Sequence, residues 1–211
     1  MKLVFIHGWG FDARLWDGVS SLLADYEQQR LDMGFFGNPA LDMDSEPAIL
    51  IGHSLGFIHG LTARNDWHGW IAINSFPRFL TTPTHPGCVP AAALRDIRMR
   101  LTLAPEKTLE GFHDLLGSSM PPGKPHAARL REGLDTLRDS DIGETAANIS
   151  PGLVIASRHD PLVPAATSEV LAKNKDIFWH EGGGHILPHT DPAFCANAIQ
   201  QFVEEHVLIG A

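Results

Sequence analysis

Gly52-His53-Ser54-Leu55-Gly56 is the stretch of this chain with the plainest capacity for chemistry. It follows the apolar run 48–51 and precedes a helix-like stretch, so it falls at a strand–turn–helix junction. There the two glycines allow a sharp, strained turn that lifts the serine hydroxyl above the end of a sheet. The same turn aims the first N–H groups of the helix at the space in front of that hydroxyl, where developing negative charge is stabilised. A glycine-rich turn with an incidental serine is the plainer reading, but the junction that the motif requires is present.

A serine at its ordinary pKa is a poor nucleophile; it needs a base, and the base needs an acid to orient it. On strand–turn–helix scaffolds of this kind the chain order is serine, then Asp or Glu, then His. Asp160 follows the run 153–156, within Ser157-Arg158-His159-Asp160-Pro161. His185 follows a run ending at Trp179, after Gly182-Gly183-Gly184. Taken alone, Asp160 reads as a turn residue before Pro161, and His185 as a loop histidine. Two partners in the right order and at strand ends outweigh either reading. The expected row is Ser54 as nucleophile, His185 as base and Asp160 as acid. His189 and Asp191 compete, but Pro188 and Pro192 place them in a turn before the last helix. Asp32 is the alternative acid, within Asp32-Met33-Gly34-Phe35, which reads better as a structural loop. No acid follows the run 70–73.

His7-Gly8-Trp9-Gly10 follows the first strand, and its glycines permit close backbone approach to a substrate. The Trp9 N–H and the Leu55 N–H are the expected pair of oxyanion donors. Two readings of the Trp9 indole stand: a wall of the substrate-binding pocket, or a core tryptophan. Twelve histidines invite a metal. However, His185 and His189 are separated by Pro188 and cannot be a helical ligand pair, so no metal is expected. There is no phosphate-binding glycine loop after a strand, so no nucleotide or other cofactor is indicated.

These groups need a scaffold. Short apolar runs at 3–6, 48–51, 70–73, 153–156 and 176–179, with a weaker one at 28–33, read as strands buried on both faces of a parallel sheet. Helix-like stretches at 15–24, 55–65, 165–173 and 192–206 alternate with them, which implies a doubly wound α/β layer fold. Residues 75–150 break the rhythm. They are rich in proline, carry helical patterns at 91–103, 106–116 and 126–137, and lack strands. The expected division is a core of 1–75 and 150–211 with a helical insertion over 76–149. The insertion has nine basic and nine acidic residues, including Arg95, Arg98, Arg100, Arg129, Arg131 and Arg138, so the rest of the chain carries the whole net charge of −9.

The 211 residues suit one domain with a sizeable core. A net charge of −9 argues against a nucleic-acid partner. No apolar run approaches the ~20 residues that cross a bilayer, and the N-terminal apolar run is too short for a signal peptide. Two cysteines, Cys88 and Cys195, are too few for a disulfide framework. A cytoplasmic, monomeric protein with no membrane partner is expected.

On these motifs the chain resembles the α/β-hydrolase family, and within it the BioH-type carboxylesterases that demethylate pimeloyl-acyl-carrier-protein methyl ester in biotin synthesis. The matching residues are His7-Gly8-Trp9-Gly10 with Trp16, Asp32-x-Gly34-Phe35 with Gly37, and the Ser54 pentapeptide. Asp160-Pro161-Leu162-Val163-Pro164 and Gly184-His185 through Pro192-Ala193-x-Cys195 complete them. The likeness is weak over 75–150. It implies an α/β-hydrolase fold with about six mostly parallel strands, helices on both faces and a helical lid. It implies serine carboxylesterase activity through an acyl-enzyme on a small-molecule or acyl-carrier-protein-linked ester. It also suggests Trp9, Arg95, Arg98, Arg129 and Arg131 as substrate-binding residues, the arginines holding the acidic carrier. The alternative for the arginines is solvated helix faces with i, i+4 partners, such as Arg131 with Asp135. Thioester hydrolysis, a menaquinone-pathway lyase reaction and a non-catalytic binding protein of the same fold are the rival functions. The chain opens at the His-Gly strand, without the family's usual first hairpin, which predicts six strands and an exposed edge. The pentapeptide also departs in carrying His53 and in lacking a second glycine after Gly56.

Overall fold

The computed structural model describes residues 1–206. Its sheet is built from β1 (Lys2–Ile6), β2 (Gln28–Leu31), β3 (Ala48–His53), β4 (Gly69–Ile73), β5 (Gly152–Ser157) and β6 (Asp176–His180). All six strands are parallel, in the order β2-β1-β3-β4-β5-β6. This is the α/β layer architecture expected from the apolar runs. β1, β3, β4 and β5 are buried almost throughout, because helices cover both faces. β2 and β6 are the edges of the sheet, and Gln28, Gln29 and Arg30 keep the β2 edge polar.

Side chains alternate across the sheet as the pleat requires. Leu3, Phe5, Ile49, Ile51, Ile71 and Ile155 face one apolar cluster, shared with α1 (Asp17–Leu22) and α9 (Pro192–His206). Val4, Ile6, Leu50, Ala72 and Val154 face the other, shared with α2 (Leu55–Ala63). That second cluster continues without a break into the segment between β4 and β5. It takes in Leu94 and Leu101 of α3 (Ala91–Leu103), Leu109 of α4 (Pro105–Leu116), and Leu130, Leu134 and Leu137 of α5 (Ala127–Asp139).

The helix limits have local causes. Pro105 opens α4, where a missing N–H costs nothing, and Gly117 closes it in the left-handed region at φ 65°. The pattern expected over 15–24 divides into a 3₁₀ turn, Ala13–Trp16, and α1; Asp12 caps the turn by accepting the Arg14 N–H. Two short helices lack the apolar period that would mark them in the sequence: α6 (Gly143–Asn148) and α8 (Leu187–Thr190). The last crossover helix, α7 (Ala165–Leu171), connects β5 to β6. No described helix is long and apolar enough to cross a membrane.

Candidate active site

The carboxyl end of β3 runs into α2 through Ser54, which stands at φ 52° and ψ −123°. A side chain in that region is strained. The neighbouring glycines make the turn sterically possible. A Cβ on Gly52 would fall 2.3 Å from Phe57 Cα, and one on Gly56 would fall 2.2 Å from the Ile6 carbonyl oxygen. Helix α2 therefore lies so close to β3 and β1 that only hydrogen fits at these positions.

Asp160 and His185 meet at the ends of β5 and β6. His185 Nδ1 lies 2.8 Å from Asp160 Oδ2, and both side chains are almost fully buried. The other carboxylate oxygen accepts the Leu162 and Val163 N–H groups at 2.7 and 3.0 Å. Pro161 and its neighbours thus form a turn that holds Asp160 in one orientation. Ser54 and His185 line the same crevice. No hydrogen bond joins them among the described residues, an open arrangement that a bound substrate commonly tightens.

Leu55 opens α2, so its N–H has no acceptor within the helix. Among the described residues the Trp9 N–H likewise donates to no backbone oxygen. The Trp9 indole lines the crevice, is 5 % exposed, and donates to the Leu130 carbonyl at 2.8 Å. It is a wall of the crevice and a core tryptophan at once.

The competing residues have other occupations. Asp191 caps α9 through the Phe194 N–H and pairs with His180 at 3.2 Å, while His189 is exposed on α8 rather than in a turn. Asp32 accepts the Ala13 and Gly34 N–H groups. Burial opposes its ionisation, but the His7 ring and these two N–H groups outweigh that and hold it at about 2. Asp32 is a loop anchor, as its sequence context implies.

His53 is fully buried behind Ser54, with Nε2 2.9 Å from the His185 carbonyl oxygen and its ring 4.8 Å from the His185 ring. Burial and the neighbouring His185 push it well below the usual histidine range. It is neutral, and the proton is on Nε2.

The crevice has a volume of about 610 Å³ and an apolar lining that includes Phe79, Leu94, Phe112, Leu134, Leu137 and Leu162. Its permanently charged lining residues are Arg100 and Lys107, both exposed. Arg95, Arg98, Arg129 and Arg131 do not line it. Arg95 and Arg98 border a separate hollow with Asp135 and Arg138, and Arg129 borders a third with Met33 and Glu132. The Arg131–Asp135 pair of the alternative reading does not form; Asp135 pairs instead with Arg98 at 3.0 Å and Arg138 at 2.8 Å. Sequence reasoning missed the place of Arg100 and Lys107, since helical phase alone does not say which face roofs a cavity. No cluster of three or more His, Cys, Asp or Glu side chains suited to a metal occurs among the described residues.

Comparisons with known proteins agree with this architecture. The sequence profile described as "Alpha/beta hydrolase family" matches residues 24–198. A pimeloyl-[acyl-carrier protein] methyl ester esterase of Legionella pneumophila (strain Corby) is 29 % identical over 90 % of this chain and 91 % of its own length. The biotin biosynthesis bifunctional protein BioHC of Cellvibrio japonicus is 27 % identical over 96 % of this chain, which spans only 47 % of that longer protein. Among solved structures, an esterase from Exiguobacterium antarcticum superposes with a TM-score of 0.83, covering 97 % of this chain and 92 % of that one at 15 % identity.

Proposed function

The chain belongs to the alpha/beta hydrolase family, and from that premise we propose that it is a serine carboxylesterase with Ser54 as nucleophile, His185 as base and Asp160 as orienting acid. The buried 2.8 Å contact of Asp160 with His185, opening on the crevice that Ser54 enters, carries this reading. His185 takes the Ser54 proton as the hydroxyl oxygen attacks the ester carbonyl. The oxyanion forms in front of the Trp9 and Leu55 N–H groups, each such donor contributing about 3 kcal/mol to the transition state. His185 then returns the proton to the departing alcohol, leaving an acyl-serine. A water, deprotonated by the same imidazole, releases the acid and restores the serine. Asp160 fixes the Nδ1–H tautomer and stabilises the imidazolium.

The substrate in this proposal is an ester with an apolar acyl chain, because the crevice wall is apolar. Relatives named for pimeloyl-[acyl-carrier protein] methyl ester at 27–29 % identity support that ester as the natural one. The segment from α3 to α6 is then the lid. The cations nearest the crevice, Arg100 and Lys107, are the better candidates to meet an acidic carrier than the four arginines singled out above.

Labelling by a fluorophosphonate and hydrolysis of p-nitrophenyl esters test the reaction. Wild type labels stoichiometrically and turns over; Ser54→Ala does neither. A wild-type protein that fails both is a binding protein of this fold. Turnover of dicarboxylate monomethyl esters, free and carrier-attached, tests the substrate. A preference for the attached form that weakens at high salt supports it; equal rates refute it.

A further inference from the structure

Two consecutive residues beyond the end of β4 reach opposite sides of the site. Asn74 is 1 % exposed and stands at φ 44°, in the left-handed region that Asn tolerates better than most residues. Its amide nitrogen donates to the Gly184 and His185 carbonyl oxygens, each at 2.8 Å. Its amide oxygen accepts the Ser157 N–H at 2.8 Å. Donation on one side and acceptance on the other leave one orientation of the amide. The next residue, Ser75, is fully buried and donates its hydroxyl to the Ser54 carbonyl oxygen at 2.8 Å. The Ser54 N–H in turn donates to the Ile73 carbonyl at 3.1 Å. One short segment thus grips the backbone of residue 54 with one side chain and the backbone of residue 185 with the next. His53 Nε2 is a second donor to the same His185 carbonyl.

We propose that Asn74 and Ser75 are positioning residues that set the gap between the Ser54 hydroxyl and the His185 imidazole, with His53 bracing the same carbonyl. This rests on the reading of Ser54 and His185 as nucleophile and base. The loop before His185 contains Gly182, Gly183 and Gly184 and has little conformational preference of its own. Asp160 holds one ring nitrogen, which fixes the tilt of the imidazole but leaves its backbone free to slide. The carbonyl clamp removes that freedom. A gap wrong by about 1 Å can cost on the order of 100-fold in rate, so the effect falls on the chemical step.

The experiment compares Asn74→Ala, Ser75→Ala and the double variant with wild type, by ester kinetics and by the low-field proton resonance of His185 Nδ1–H. Each single variant is expected to lose 10- to 100-fold in kcat with KM within threefold. The double variant should lose less than the product of the two, because both act on one gap. The resonance should shift or broaden in Asn74→Ala yet persist in Ser54→Ala, which separates failure of the clamp from failure of the nucleophile assignment. His53→Phe should lose rate and resonance in the same way, and His53→Gln, whose amide N–H reaches the same oxygen, should restore most of both. This pair decides the matter if Asn74→Ala does not fold. Unchanged kcat and an unchanged resonance in Asn74→Ala, or equal behaviour of His53→Phe and His53→Gln, overturn the proposal.

Discussion

The Trp9 indole donates to the Leu130 carbonyl, joining the loop after β1 to α5 across 121 positions of sequence. The approach is close: a Cβ on Gly133 would stand 2.8 Å from Trp9 Cδ1. A second tie runs from His113 Nε2 to the Gly10 carbonyl at 2.9 Å. The proposed oxyanion loop and the roof of the crevice are therefore one mechanical unit.

Replacing Trp9 by Phe keeps an aromatic wall and removes the first tie. The expected cost is about 1 kcal/mol, or roughly 3 °C in melting temperature for a chain of this size. Limited proteolysis should cut near α5 sooner than in wild type. An unchanged cleavage pattern and melting point would show that the tie is idle.

Asp160→Asn should leave the fold intact and reduce kcat by about 10⁴-fold. The amide oxygen would keep the Leu162 and Val163 N–H groups, so its NH₂ would face His185 Nδ1. That forces the proton onto Nε2, and the imidazole can no longer accept from Ser54. Near-wild-type turnover would move the acid elsewhere.

Gly56→Ala should cost about 3 kcal/mol, because its methyl would meet the Ile6 carbonyl at 2.2 Å and the His7 carbonyl at 2.5 Å. Denaturant unfolding measures this. A stability within 1 kcal/mol of wild type would mean that α2 yields more easily than its packing implies.

Gly111→Leu separates stability from specificity. Gly111 lines the crevice on α4, and a Cβ there has no neighbour within 4 Å. The variant should gain up to about 0.8 kcal/mol from helix propensity. Its side chain would occupy crevice volume, so KM should rise for long-chain p-nitrophenyl esters and stay constant for acetate. A uniform change across chain lengths would place the acyl group elsewhere.

Asp32 predicts an acid limit. Its carboxyl is held at about 2 against an ordinary 3.8, so its stabilising contribution is complete above pH 3.8 and is lost as the pH falls through about 2. The stability difference between wild type and Asp32→Asn should be largest near neutrality and shrink over that acid range. A difference independent of pH would assign the effect to packing.

β1, β3, β4 and β5 were legible because each is an apolar run buried on both faces, whereas the edge strands β2 and β6 are partly exposed and β2 gave only a weak run. The places of Ser54, Asp160 and His185 were legible because each follows such a run. What escaped was short or unperiodic. α6 and α8 have no repeating apolar face to read. Asn74 and Ser75 look like an ordinary polar strand exit; their partners are 110 and 21 positions away, and only the fold brings them together. The Arg131–Asp135 spacing suited a helical pair, yet Arg98 from another helix reached Asp135 first. Local spacing says which pairs are possible and is silent about competitors from elsewhere in the chain.

The apolar cluster on the α2 face runs unbroken from the sheet into α3, α4 and α5. Roof and floor should consequently melt in a single cooperative transition, so the cover cannot be loosened for faster traffic without lowering the tolerance of the whole molecule to heat. Sequence drift in the cover is then confined to its outward positions, where shape and charge can change while the inward leucines remain.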